Sequence, residues 1–218
     1  HGFISNSLSI TGWLTGVYFF IELALGFYSG SISVISDAFH TFSAVGGVVL
    51  AIIASKIALK PSDKFKSFGL LRAEIVGALL NGFFLLIMAV FVLYMGWMRL
   101  NEPIEIATLP MFIAAIGGLI TEIISIKLLY AGQKDNLNVR GAFWHVLQTF
   151  VGSVIIIVAA VVIKFTGFLA IDPILGMLFG LVLFYASWSI IRDAFQILLE
   201  YAPPEIDLKE IQKDITEI

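Results

Sequence analysis

Two histidines, His40 and His145, lie inside long apolar segments of the sequence. Ionisable side chains in such segments are costly to bury and are therefore candidates for function. Asp37 lies three residues before His40, so the two side chains share one face if the segment is helical. Imidazole and carboxylate are suitable ligands for zinc, and a tetrahedral zinc site needs about four ligands. The three residues together predict an intramembrane cation site.

The same residues have a second interpretation, in which each histidine is a hydrogen-bonded packing residue. Two further acids in apolar segments, Glu22 and Glu122, also leave two interpretations open. In the first interpretation, each glutamate carries protons or lines a polar cavity. In the second, each is a protonated carboxyl group that forms a hydrogen bond with a neighbouring helix. Asp172 precedes Pro173, a pattern typical of a helix start, and is therefore predicted to cap its own helix.

The composition of the 218 residues indicates the environment of these side chains. Hydrophobic residues make up 59% and charged residues 13%, whereas a soluble domain carries about 25% charged residues. These values exclude a soluble enzyme and predict an integral membrane protein. The 13 Lys and Arg against 16 Asp and Glu give no basic surface for nucleic acid. The absence of cysteine excludes disulfides and thiolate ligands.

The elements that must position the candidate ligands are transmembrane helices, each of which needs about 20 mostly apolar residues. Strands of a membrane barrel would instead alternate polar and apolar residues over about 10 positions, and the apolar run 151–162 does not alternate. The sequence therefore predicts an all-α integral membrane protein with six transmembrane helices. Their predicted ranges are 7–29, 33–58, 73–99, 107–130, 139–165 and 172–199.

The distribution of Lys and Arg predicts the orientation of these helices. Eleven of the 13 basic residues lie near the link between helices two and three, near the link between helices four and five, or at and after the end of helix six. Only Arg99 and Lys164 lie on the other side, so both termini are predicted to be cytoplasmic. Residues 1–200 form the predicted transmembrane domain. Residues 201–218, which contain a Pro-Pro break, are predicted to start a cytoplasmic domain whose remainder is absent.

Several ordered segments of the sequence resemble the membrane domain of the cation diffusion facilitators, a family of zinc and manganese exporters. The resemblance extends over nearly the whole chain. The segments that carry it are residues 36–40 (SDAFH), 72–74 (RAE), 138–147 (NVRGAFWHVL), 152–153 (GS) and 172–173 (DP).

This resemblance implies a proton-coupled antiporter that exports a divalent metal from the cytoplasm. It also implies a homodimer, with a ferredoxin-like cytoplasmic domain after Ile218. In the family, helices two and five each supply a His or Asp and then an Asp four residues later. Here the later positions hold Ala44 and Thr149, so both carboxylates are missing.

The family's second metal site, in the loop between helices two and three, is also incomplete in this sequence. Asp63 stands at one ligand position, but Lys66 and Leu70 occupy the others. Lysine repels a dication and offers no acceptor atom. No metal is therefore predicted in this loop.

Without the two aspartates, the two histidines supply only neutral ligands, which do not compensate the charge of a dication. Burying an uncompensated ion is costly. Asp37 lies one turn from His40, while Thr149 offers a hydroxyl and Gln148 a carbonyl oxygen close to His145. Such a rearranged site is expected to bind zinc more weakly or to prefer another ion. Its predicted metal ligands are His40, His145, Asp37, Thr149 and Gln148.

Two function hypotheses follow from the residues and the resemblance. The first is a divergent divalent metal cation/proton antiporter, multi-pass in a prokaryotic plasma membrane or an organelle membrane, with no resident cofactor. Histidine titration would supply the proton side of the exchange, because the unperturbed pKa of histidine is about 6.5. The alternative is a transport-incompetent or regulatory subunit that pairs with a site-complete transporter. An intramembrane hydrolase is disfavoured, since no Ser–His or paired-Asp arrangement falls on facing helices.

A last expectation concerns the cytoplasmic boundary, where Arg72 opens helix three and Glu200 follows helix six. The two side chains are predicted to form an ion pair, within one chain or across a dimer, that limits splaying of the helices. The competing interpretation is two unrelated charges that extend to the membrane interface.

Overall fold

The computed structural model of the chain describes residues 2–58, 72–131 and 137–201. Within these ranges it consists of six helices and contains no strand. The helices are α1 (Gly2–Ser29), α2 (Ile32–Ala58), α3 (Ala73–Asn101), α4 (Thr108–Tyr130), α5 (Leu137–Thr166) and α6 (Ile171–Leu198).

The predicted helix boundaries are confirmed closely. The first helix, α1, begins five residues earlier than predicted, and every other boundary agrees within two residues. Within the described residues, five helices, α1 and α3 to α6, contain stretches that are long and apolar enough to cross a bilayer by length and composition. Large apolar side chains face outward along these five helices, as the lipid-facing surface of a membrane protein requires. The chain is an all-α, multi-pass integral membrane protein.

The helix that carries His40, α2, lies at the centre of the arrangement and contacts each of the other five helices. The most extensive helix pairs around it are α3 with α6 and α4 with α5, while α1 packs against α2 and α4. Every residue from Ser31 to Phe39 is buried. The candidate ligands on α2 therefore lie in the interior of the helix bundle and not at its lipid-facing surface.

Two apolar clusters hold α2 in place on opposite sides. One joins Val34 to α4 and α5, where small residues such as Ala114, Ala115, Ala159 and Ala160 allow close approach. The other joins α2 to α3 and α6 and includes Phe39 of α2. Van der Waals contact of this kind is the main attraction between helices in lipid, where apolar burial alone provides little.

The N-terminal end of α2 is capped by a side chain from α6. The Asp172 carboxylate accepts hydrogen bonds from the backbone N–H of Ile32 at 2.7 Å and of Ser33 at 3.3 Å. The hydroxyls of Ser31 and Ser33 also donate to it, and Asp172 is fully buried. Helix N-terminal N–H groups have no partner within their own helix, so this carboxylate satisfies donors that would otherwise be unpaired.

The prediction that Asp172 caps its own helix is therefore wrong. The residue at the N-cap position of α6 is Ala170, which forms no side-chain cap hydrogen bond. Asp172 instead turns to α2 because the two helix ends lie very close together at Gly176. A Cβ at that position would lie only 2.6 Å from the Ile32 side chain and 2.9 Å from the Ser33 backbone nitrogen.

Candidate functional site

The two histidines of the predicted cation site meet between α2 and α5. Their ring centroids are 5.3 Å apart and the ring planes are inclined by 29°, so the imidazoles are stacked. The Nε2 atom of His145 is buried and has no hydrogen-bond partner among the described residues. A packing histidine would have its buried nitrogens paired, so this geometry favours a site that receives a ligand.

Asp37 lies deep in the bundle on the same helix as His40, with 4% of its surface exposed. On the neighbouring helix α1, the carboxyl group of Glu22 is also buried, with 2% of its surface exposed. The interior of the bundle therefore holds a buried carboxyl group on α1 as well as that of Asp37 on α2.

The backbone of α5 approaches Asp37 closely at Gly152. A Cβ at that position would lie 2.9 Å from Asp37 Oδ1, nearer than a real side chain tolerates. A side chain at this position would therefore have to displace the Asp37 carboxyl group, and the same approach of α5 brings His145 to His40. The sequence analysis placed Gly152 in a family-like segment without assigning it this role.

The remaining predicted ligands, Thr149 and Gln148, lie on α5 one turn or less from His145. Thr149 is buried, and its hydroxyl donates to the carbonyl of Val146 at 2.9 Å. That bond uses the hydroxyl proton and leaves the oxygen lone pairs available to accept or to coordinate. The side chain of Gln148 is exposed, so the structure does not bring it to the imidazole pair.

A second acidic side chain lies nearby on α4. Glu122 is 8% exposed, and its Oε1 accepts a hydrogen bond from Ser153 Oγ at 3.0 Å. Its Oε2 is buried without a partner among the described residues. Glu122 thus adds a further buried carboxyl group to those of Glu22 and Asp37. A buried carboxylate is costly unless a proton or a cation compensates its charge.

The structure as it stands contains no complete metal site in the parts of the chain that it describes. Nowhere in these ranges do three or more His, Cys, Asp or Glu side chains converge in a way that could hold a metal ion. The assignment of metal ligands therefore remains a prediction, with the imidazole pair as the group that the fold assembles. Asp63, Lys66 and Leu70 of the incomplete loop site, and residues 202–218 of the predicted cytoplasmic segment, lie outside the described residues.

The predicted ion pair between Arg72 and Glu200 is confirmed. Arg72 Nη2 contacts Glu200 Oε1 within one chain, and both side chains are largely exposed, by 61% and 70%. The pair joins the start of α3 to the end of α6. Glu200 has a φ of 57°, the left-handed conformation in which helices commonly terminate.

Comparison with known proteins gives a family and several relatives. The family model described as "Cation efflux transmembrane domain" matches residues 8–199. The metal cation efflux system protein CzcD of Cupriavidus metallidurans is 36% identical over 210 residues, covering 96% of this chain and 66% of that protein. The zinc transporter ZitB of Yersinia pestis is 34% identical over 212 residues, covering 97% and 68%.

A third relative is named for its exchange reaction. The cadmium, cobalt and zinc/H(+)-K(+) antiporter of Bacillus subtilis is 33% identical over 204 residues, covering 93% of this chain and 65% of that protein. The chain spans about two thirds of the length of the curated relatives it matches.

Proposed function

The chain belongs to the cation efflux family, the cation diffusion facilitators, and from that premise we propose that it exports a divalent metal cation in exchange for protons. The transported ion passes through a site between α2 and α5. The observation that carries the proposal is the imidazole pair, in which the ring centroids of His40 and His145 lie 5.3 Å apart between α2 and α5. The bacterial relatives favour the plasma membrane as its location.

Metal binding at this pair needs a change in ring orientation. Stacked rings do not direct their nitrogen lone pairs at one point, but rotation about the broad χ2 torsion of histidine turns the ring edges toward a shared ion. The unpartnered Nε2 of His145 is available for this without breaking a hydrogen bond among the described residues. A free lone pair of Thr149 Oγ1 supplies a third ligand.

Charge compensation in the proposed site comes from Asp37. This carboxylate lies one turn from His40. It compensates the metal charge in place of the two aspartates that the family has on helices two and five. Gln148 remains a predicted ligand with no support from its exposed position.

Proton coupling follows from the chemistry of imidazole. Only a neutral imidazole nitrogen coordinates a metal, so protonation of either ring and binding of the cation exclude each other. Zinc affinity is therefore expected to fall as the pH falls, and metal entry releases protons from the pair.

The test is metal-driven proton release in proteoliposomes that contain the purified chain and an internal pH dye. We expect release with at least one of zinc, manganese, iron, cobalt and cadmium, and its loss in the His40→Ala, His145→Ala double variant. The matched control is Ser187→Ala, which alters a buried hydroxyl on α6 that bonds only within its own helix. Proton release by none of the five metals, or unchanged release in the double variant, contradicts the proposal.

A second candidate function is a transport-incompetent subunit that pairs with a site-complete transporter. One observation favours it, namely that no third His, Cys, Asp or Glu joins the imidazole pair in the described ranges. Isothermal titration with zinc separates the two functions, because this candidate predicts no metal bound by the purified chain. Co-purification with a site-complete relative supports it, whereas a stable homodimer that binds metal contradicts it.

A further inference from the structure

The carboxyl group of Glu122 on α4 lies directly against α5. Its Oε1 accepts a hydrogen bond of 3.0 Å from Ser153 Oγ. A Cβ at Gly118, one turn earlier on α4, would lie 2.9 Å from that same Oγ, so the small residue lets the two helices approach closely here. Glu122 is 8% exposed and Ser153 is fully buried. The carboxyl group is therefore held inside the bundle and not at its lipid-facing surface.

Ser153 lies on the side of α5 that also carries two candidate ligands. His145, Thr149 and Ser153 are spaced four residues apart, so their side chains follow one another along one side of the helix. Thr149 is buried like Ser153. The hydrogen bond from Ser153 therefore holds the Glu122 carboxyl group beside a residue that is only one turn from Thr149.

A second carboxyl group, that of Asp37, reaches α5 at the neighbouring residue. Asp37 Oδ1 lies 2.9 Å from the position that a Cβ on Gly152 would occupy, and Gly152 directly precedes Ser153. Consecutive residues of a helix differ in height by about 1.5 Å. Asp37 from α2 and Glu122 from α4 thus approach α5 at the same level from two different helices.

One oxygen of Glu122 lacks a hydrogen-bond partner among the described residues. This atom, Oε2, is buried, while Oε1 is occupied by Ser153. Buried polar atoms are normally paired, because an unpaired acceptor loses its hydration without compensation. A cation supplies what this oxygen lacks. Two neutral imidazoles leave both charges of a dication uncompensated, whereas Asp37 and Glu122 together provide two negative charges.

We propose that Glu122 is a specificity-determining residue of the cation site, where it supplies the second of two negative charges to a dication held between α2 and α5. This inference rests on the proposed function, because it requires that a dication enters the site at the imidazole pair. Imidazole suits zinc, whereas carboxylate oxygens suit harder ions such as manganese. Glu122 thus extends the range of accepted metals toward harder dications.

The test is isothermal titration of the purified chain with zinc and, separately, with manganese. The variant Glu122→Gln removes the charge but keeps an acceptor for Ser153. We expect it to weaken zinc binding about tenfold, a loss typical of removing a group that supports a metal site. Manganese binding should weaken more. Glu105→Gln, the same change at an exposed position before α4, is the matched control and should leave both affinities unchanged.

Returning a carboxylate from α5 separates an effect of charge from an effect of packing. In the Glu122→Gln background, Thr149→Asp places a carboxylate on the same side of α5, and we expect it to recover most of the lost manganese affinity. If Thr149→Asp prevents folding, Glu122→Asp replaces it, since this variant keeps the charge and should lose less affinity than Glu122→Gln.

Three results overturn the inference: unchanged affinities in Glu122→Gln, an equal loss for the two metals, or a loss that neither carboxylate variant reduces. A chain that binds neither metal also overturns it. The imidazole pair is tested independently of Glu122. If the His40→Ala, His145→Ala double variant binds both metals as the unsubstituted chain does, the proposed function fails whatever the effect of Glu122→Gln.

Discussion

Two buried acidic regions of the bundle contrast in how well their hydrogen bonds are satisfied. At the N-terminal end of α2, the Asp172 carboxylate accepts hydrogen bonds from two backbone N–H groups and two serine hydroxyls. In the middle of the bundle, Glu122 has one oxygen without a partner among the described residues, and His145 has an unpartnered ring nitrogen. A satisfied buried charge fixes structure, whereas buried polar atoms left unpaired mark where a ligand or a proton is received.

The largest expected effect is that of removing Asp172. We expect Asp172→Ala to destabilise the chain by about 3 kcal/mol or more, because it leaves buried donors on Ile32 and Ser33 without an acceptor. The thermal unfolding midpoint in detergent is the measurement, with Asp172→Asn as an intermediate case that keeps one acceptor oxygen.

The matched contrast to this variant is Glu122→Gln. Its amide oxygen can still accept from Ser153, so its unfolding midpoint should stay close to that of the unsubstituted chain. Its effect should appear in metal-driven proton release instead, which we expect to fall. If Glu122→Gln lost as much stability as Asp172→Ala, the distinction between the two regions would be lost.

A smaller effect is expected where α5 approaches Asp37. We expect Gly152→Ala to cost about 1–3 kcal/mol, because the added methyl group overpacks a tight contact. It should also weaken zinc binding, since it moves His145 away from His40. Gly12→Ala is the control, because a Cβ there has no atom within 4 Å. Unchanged zinc affinity in Gly152→Ala would show that the spacing of α2 and α5 does not set the site.

The smallest effect is expected at the boundary ion pair. We expect Arg72→Gln to change stability by less than about 1 kcal/mol, because exposed ion pairs are weak and screened by salt. Glu200→Gly should lose no more stability than Arg72→Gln, as glycine relieves the left-handed backbone at this position. Unfolding midpoints at low and high salt test both variants, and a loss that persists in high salt would assign the pair a larger structural role.

The sequence predicts the helices of this fold better than their contacts. Long apolar runs and the breaks between them determine the helix boundaries. The charged residues at those breaks led to the prediction of the Arg72–Glu200 ion pair. The helices carry large apolar side chains on their outward faces as well as their inward ones. The hydrophobic pattern therefore does not show which side of a helix faces inward.

The contacts that the sequence analysis missed all depend on which side of each helix faces inward. Asp172 matched a local capping pattern, and only the packing of α6 on α2 shows that it caps another helix. The hydrogen bond that Ser153 donates to Glu122 likewise joins helices whose facing sides the sequence leaves open. The imidazole pair was predicted because His40 and His145 are the only histidines within the apolar segments.

The anchored end of α2 determines how far different parts of this helix can swing. A helix tied at Ile32 to Asp172 tilts about that point, and its displacement grows with distance from the pivot. At a rise of about 1.5 Å per residue, His40 lies about 12 Å from the pivot and Ala58 about 39 Å. A tilt of about 10° would then shift His40 by about 2 Å but Ala58 by about 7 Å. A tilt about this anchor would therefore displace the Ala58 end of α2 far more than the region around His40.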